Sequence, residues 1–271
     1  MPARYPERIV CLTEETTETL YLIGEERRIV GISGYTVRPP RARREKPRVS
    51  AFLSARTDKI VDLEPDLVLG FSDLQADIAR GLAKAGLNVM LFNQRSVDEI
   101  LSMILQLASI VGAADKGQAL VRSLEANLQE IRDAASRLPR RPRVYFEEWD
   151  EPMISGIRWV SELIGIAGGE DIFPEKSRSQ AASGRIVQDP DEVVRRKPEV
   201  ILGSWCGQKF RPERVAARRG WHEIPAVRDK ELHEIKSADI LQPGPAALTD
   251  GVRRIHEILR DFVFRGPRTP T

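Results

Sequence analysis

Short unbroken apolar runs recur along the chain, separated by segments whose apolar positions repeat every three or four residues. Ile9-Val10-Cys11-Leu12, Ile29-Val30-Gly31-Ile32, Leu67-Val68-Leu69, Val89-Met90-Leu91-Phe92, Val144-Tyr145-Phe146 and Val200-Ile201-Leu202 are runs of the first kind. They are too short for helices and lack alternating polar residues, which predicts strands covered on both faces. Glu231–Ile235 is predicted to close the set. Helical patterns fill the intervals, so strands alternate with helices. That order predicts an α/β fold with mainly parallel sheets.

One unit occurs twice. Residues 57–70 read TDKIVDLEPDLVLG and residues 190–203 read PDEVVRRKPEVILG. Without gaps, Asp58 aligns with Asp191, Val61 with Val194, Pro65 with Pro198, and Leu69-Gly70 with Leu202-Gly203. Each copy reads as a short helix, a proline that cannot continue it, and a buried strand. Between the copies, Ser96-Val97-Asp98-Glu99 is a capping box, followed by Ile100, Leu101, Ile104, Leu105 and Ala108 on one helical face. After Gly112, Leu120, Leu124, Leu128, Ile131, Ala135 and Leu138 form one stripe that Pro139-Arg140-Arg141-Pro142 stops. A helix of about 24 residues is about 36 Å long, which suits a strut between two lobes.

Composition narrows the function classes. A net charge of +2 gives no global field toward nucleic acid, and no apolar run is long enough to span a membrane. The basic stretch Arg38–Arg48 lacks interleaved aromatics and reads as a solvated loop. The two cysteines, Cys11 and Cys206, form neither a disulfide framework nor a zinc spacing. No G-x-S-x-G elbow, P-loop or G-x-G-x-x-G is present, and His222, His233 and His256 have no ligand spacing. Gly203-Ser204-Trp205-Cys206-Gly207 is the one suggestive segment. Its cysteine could serve as a nucleophile or soft metal ligand, or simply as a small residue in a tight loop beside a site.

Ligands of parallel sheets bind beyond the carboxyl ends of the strands. Residues just past the predicted strands are Glu14 and Glu15, Tyr35, Phe71, then Glu147, Glu148 and Trp149, then Trp205 and Cys206. Aromatic residues are only 6% of the chain, yet several fall at these edges. Flat rings there suit a large planar or chelated ligand, with packing of the loops as the alternative.

With these residues in view, the sequence resembles the vitamin B12-binding and ferric-siderophore-binding proteins of ABC importers, over roughly residues 8–262. The resemblance is carried by Arg8–Leu12, Thr19-Leu20, Ile29–Tyr35, Pro39-Pro40, Pro65–Gly70 and Gly168–Phe173. It implies two α/β lobes joined by one long helix, with a ligand cleft between them. The B12-binding branch is the nearest. Its ligand-facing aromatics match Tyr35, Phe52 and Phe71, although tryptophan is usual at the latter two; Trp149 is the nearest aromatic in the second lobe. The first loop departs from the pattern, reading Thr13-Glu14-Glu15 where the family has Ser-Pro-Ser. With Glu147 and Glu148 it would make the cleft acidic and favour a less anionic ligand. The resemblance also implies that Asp58 and Asp191 dock on arginines of a two-fold permease; their places in the first helical turn favour a helix-start role instead.

The expected domains are an N-terminal lobe at 8–112, a bridging helix at 113–139, a C-terminal lobe at 140–262 and a tail at 263–271. The expected function is a non-enzymatic solute-binding protein for cobalamin or a related corrinoid, serving ABC-type import or cytoplasmic holding. It would have no intrinsic cofactor, the corrinoid or another metal chelate being its ligand. The alternatives are a siderophore or metal-chelate binder, or a metal-handling enzyme or chaperone that uses Cys206 and the cleft carboxylates. A small-molecule ligand and an ABC permease are the expected partners, without nucleic acid or membrane insertion. Met1–Arg8 contains no leader pattern, which predicts a cytoplasmic protein, or a periplasmic one had a leader been removed.

Overall fold

The structure is a computed structural model that describes residues 5–265. The chain divides into two compact units. The first comprises residues up to Gln94, Asp98–Leu124 and Pro243–Pro245; the second comprises Arg95–Val97, Glu125–Gln242 and the residues from Ala246 onward.

In the first unit, β1 (Ile9–Cys11), β2 (Ile29–Ser33), β3 (Arg48–Ser50), β4 (Leu67–Phe71) and β5 (Val89–Phe92) form a sheet in the order β3-β2-β1-β4-β5. Every pairing is parallel. The apolar runs form the central strands because helices cover both faces. Val10, Leu12 and Val68 pack with Ile60 of the helix Thr57–Asp62 and Leu82 of the helix Ala76–Lys84. The three-residue edge strand β3 lies in the basic stretch and escaped the apolar pattern. That stretch is held as well as solvated: Arg38 pairs with Glu18, and Arg41 pairs with Glu26 and lies over the Tyr21 ring.

In the second unit, β6 (Arg143–Asp150) pairs in parallel with β8 (Glu170–Asp171) and with β9 (Val200–Gly203), which pairs in parallel with β10 (Leu232–Glu234). The short β7 (Met153–Ser155) turns back antiparallel on β6, an exception to the parallel scheme. The core gathers Tyr145, Phe173, Trp205, Phe210 and Trp221.

The repeat has the same topological place in both sheets. The first copy forms the helix Thr57–Asp62 and β4, which lies beside β1; the second forms the helix Pro190–Arg196 and β9, which lies beside β6. The long helix runs over Ala114–Ala135, burying Val121, Leu124, Leu128 and Ile131. Its residues pass from the first unit to the second between Leu124 and Glu125. The helix Val252–Arg265 continues past residue 262, so the first residues of the expected tail are helical; 266–271 lie outside the described residues. No described helix is long and apolar enough to cross a membrane.

Candidate functional site

Successive strands fill a parallel sheet first on one side of the starting strand and then on the other. The connections therefore diverge between the starting strand and its second neighbour, leaving a crevice at the carboxyl ends. In the first sheet that point lies between β1 and β4; in the second it lies between β6 and β9. Glu14, Glu15, Trp205 and Cys206 follow these strands and Phe71 ends β4, whereas Glu147, Glu148 and Trp149, expected just past a strand, lie within the last residues of β6, which runs longer than its apolar core.

Glu14 and Glu15 open the helix Glu14–Leu22 directly after β1, and both are buried. Glu14 Oε2 accepts the Val37 amide at 3.2 Å, and Glu15 Oε1 accepts the Thr13 hydroxyl at 2.6 Å. Glu15 Oε2 has no hydrogen-bond partner. Burial, with the neighbouring acids, pushes both carboxyls up to about 7. Gly244 packs so closely on this turn that a Cβ there would lie 2.5 Å from Glu15 Cβ, so only glycine fits. Gln94 holds the same segment through Nε2 to the Pro243 carbonyl at 3.0 Å.

Tyr35 follows β2 and is 56% exposed. Phe52 sits half-buried in a turn closed by the Ala51 amide on the Ser54 carbonyl at 2.8 Å. Phe71 ends β4 with 8% of its surface exposed. Leu53 and Leu74, which sequence reasoning passed over, are the exposed apolar residues of the same loops, at 68% and 60%.

The second unit departs from expectation. Glu147 is fully buried, with every oxygen occupied. It accepts from both Arg218 Nη atoms (2.5 and 2.9 Å), from the Trp205 indole (3.1 Å) and from the Tyr145 hydroxyl (3.1 Å). Trp205 is 2% exposed and packs edge-on to Phe210. The structure thus gives Glu147 and Trp205 to the core of their own unit, because a buried carboxylate takes the nearest donors. Glu148 is held by both ends of the Arg185 guanidinium, which also donates to the Ser155 carbonyl at 2.7 Å. Asp150 pairs with Arg214 at 2.8 Å. The acidic character expected from Glu147 and Glu148 is therefore neutralised. Trp149 remains half-buried, its indole donating to the Glu151 carbonyl at 2.8 Å, and Cys206 is exposed.

Arg185 and Arg218 were missed because they lie 37 and 71 residues from the carboxylates they serve, with no local pattern to mark them. Among the described residues no three His, Cys, Asp or Glu side chains are grouped to hold a metal ion. Asp58 and Asp191 occupy the first turns of equivalent helices and are exposed. Asp58 pairs with Arg56 at 3.2 Å, and the cap of the second helix is Asp189, which accepts the Asp191 amide at 3.0 Å.

A family model described as periplasmic binding protein matches residues 9–238. The uncharacterized ABC transporter substrate-binding lipoprotein YvrC of Bacillus subtilis is 23% identical over 269 residues, covering 96% of this chain and 82% of its own. A vitamin B12-binding protein of Vibrio parahaemolyticus is 24% identical, covering 89% of this chain and 86% of its own. Among solved structures, the periplasmic heme-binding protein RhuT of Roseiflexus sp. RS-1 superposes with a TM-score of 0.75 at 24% identity, covering 93% of this chain and 99% of the other. These findings overturn the cytoplasmic location expected from the opening residues, since the matching proteins are lipoprotein or periplasmic binding proteins.

Proposed function

The chain belongs to the periplasmic binding protein family, and on that premise we propose that it binds a corrinoid, cobalamin or a near relative, and delivers it to an ABC permease. The observation that carries this reading is the aromatic set Tyr35, Phe52 and Phe71 at the carboxyl edge of the first sheet, with Trp149 in the last residues of β6 in the second. Rings offer a planar chelate a large apolar face at small entropic cost. The B12-binding relative supports a corrinoid, and the heme-binding neighbour supports the wider class of metal–tetrapyrroles. Glu14, Glu15 and Glu148 are the carboxylates proposed for the same site, and Asp58 and Asp191 are the proposed docking carboxylates.

An enzyme or metal chaperone built on Cys206 finds less support. Glu147 and Glu148 are held by arginines, and no described metal-ligand group is present. Titration with cyanocobalamin, cobinamide, haem and a ferric siderophore decides the ligand. The expected result is saturable one-to-one binding of the corrinoids, weakened by at least about 1 kcal/mol in Phe71→Ala or Trp149→Ala, the scale of an aromatic anchor. Tighter binding of haem than of either corrinoid would transfer the function to haem. Unchanged corrinoid affinity in both variants would remove these rings from the site.

A further inference from the structure

Gln75 is fully buried, yet it ends the single 3-10 turn Asp73–Gln75 just beyond β4. Its amide connects three chain segments. Oε1 accepts the Phe71 amide at 2.9 Å; Nε2 donates to the Phe52 carbonyl at 2.9 Å and to the Leu12 carbonyl at 3.5 Å. The backbone is shaped to bring it there. A Cβ on Gly70 would lie 2.7 Å from Gln75 Oε1 and 2.7 Å from Leu91, so the glycine makes room for the amide. Ser72 turns the chain back with φ 64° and ψ 171°, a region that non-glycine residues rarely adopt, and its hydroxyl accepts the Leu74 amide at 3.3 Å. Such strain persists only where the surroundings over-determine it, and it concentrates at ligand clamps.

We infer that Gln75 is a positioning residue that fixes Phe52 and Phe71 at one spacing and so prepares this aromatic pair for the ligand, an inference that rests on the solute-binding reading above. Phe52 otherwise sits on a short turn whose other ties are local: the Ala51 amide to Ser54, and a bridge between Ser50 and Ala55. Gln75 supplies its long-range tie, 23 residues away in sequence. A turn free to sample several positions would reach the ligand only after losing that freedom, at a cost in affinity.

The test uses the full chain and cyanocobalamin, with Q75M and Q75E made alone and with F52A. Q75M removes every amide bond. It is expected to weaken binding about tenfold in the wild-type background and by less than about twofold beside F52A, because positioning acts through Phe52. Q75E keeps the acceptor for Phe71. Protonated, it donates to the Phe52 carbonyl; ionised, it repels that carbonyl. Measured against the wild type at the same pH, Q75E is expected to bind nearly normally at about pH 5 and about tenfold more weakly at about pH 8. Losses from Q75M and F52A that multiply in full, or a Q75E deficit independent of pH, overturn the inference. If the wild type binds neither cyanocobalamin nor haem, the ligand reading fails and amide exchange judges the bracket by itself. Faster exchange at Ala51 and Phe71 in Q75M, with Tm kept, supports it; unchanged exchange at both overturns it.

Discussion

Glu15 has one carboxyl oxygen without a partner, in a turn where Thr13 supplies a donor to the other and Glu14 and Glu18 are near neighbours. Arg38 is committed to Glu18 at 2.9 Å. Ionising Glu15 there leaves a desolvated charge facing like charges, which is why burial holds both Glu14 and Glu15 near 7, against 4.5 for an ordinary glutamate. The consequence for stability has a definite sign. Between about pH 4.5 and 7 the folded chain keeps protons that the unfolded chain has released, so stability falls as pH rises through that window. Below 4.5 the contribution is fully present, and above 7 it is gone. Each carboxyl contributes up to roughly 3 kcal/mol by its shift, shared because the two titrate together. Glu15→Gln is expected to flatten the fall in Tm between pH 5 and 8 and to raise Tm at pH 8. A pH profile parallel to that of the wild type would show that Glu15 is already ionised across the range.

At the scale of elements, the end of β6 organises its unit through one carboxylate. Glu147 gathers Arg218 from the loop before Trp221 and the indole of Trp205 from the loop after β9. Removing Arg218 would leave a buried carboxylate without its counter-charge. Arg218→Met is therefore expected to cost about 3–5 kcal/mol in denaturant unfolding, with Glu147→Leu added to it restoring part of the loss. Full additivity of the two changes would mean that the pair is not coupled. This network also shows where sequence reading stops. β1, β4 and β9 were legible because a strand covered on both faces must be apolar throughout, and the half-buried edge strand β5 because its four residues are all apolar. β3, β7 and β8 are two or three residues long, too short for a pattern, and β3 and β8 also carry Arg48, Glu170 and Asp171. Trp205 and Glu147 were legible as residues past strands but not as core members, since only the fold brings Arg218 to them.

At the scale of the whole molecule, the internal repeat was the most legible feature. Each copy is a helix, a three- or four-residue link and a strand from end to end, with Asp189 capping ahead of the second copy. It also places Asp58 and Asp191 at equivalent points of two units, both exposed. Both stand in the first turn of their helices, as expected for a helix-start role, with Asp58 also engaged by Arg56 and Asp189 capping ahead of Asp191. A charge in the first turn of a short exposed helix adds typically 0.3–1 kcal/mol. A docking role then predicts a separation of effects in the double variant Asp58→Asn with Asp191→Asn. Thermal stability is expected to drop by no more than about 1 kcal/mol for each site. Ligand affinity is expected to stay as in the wild type, because neither residue belongs to the aromatic set. Binding to the cognate permease in proteoliposomes is expected to weaken at least tenfold, and most at low ionic strength, where exposed charge pairs are least screened. Each single variant should lose an intermediate amount if the two carboxylates engage equivalent arginines. Permease binding that survives the double change, with its salt dependence intact, would assign docking to other residues and leave Asp58 and Asp191 as helix-start charges alone.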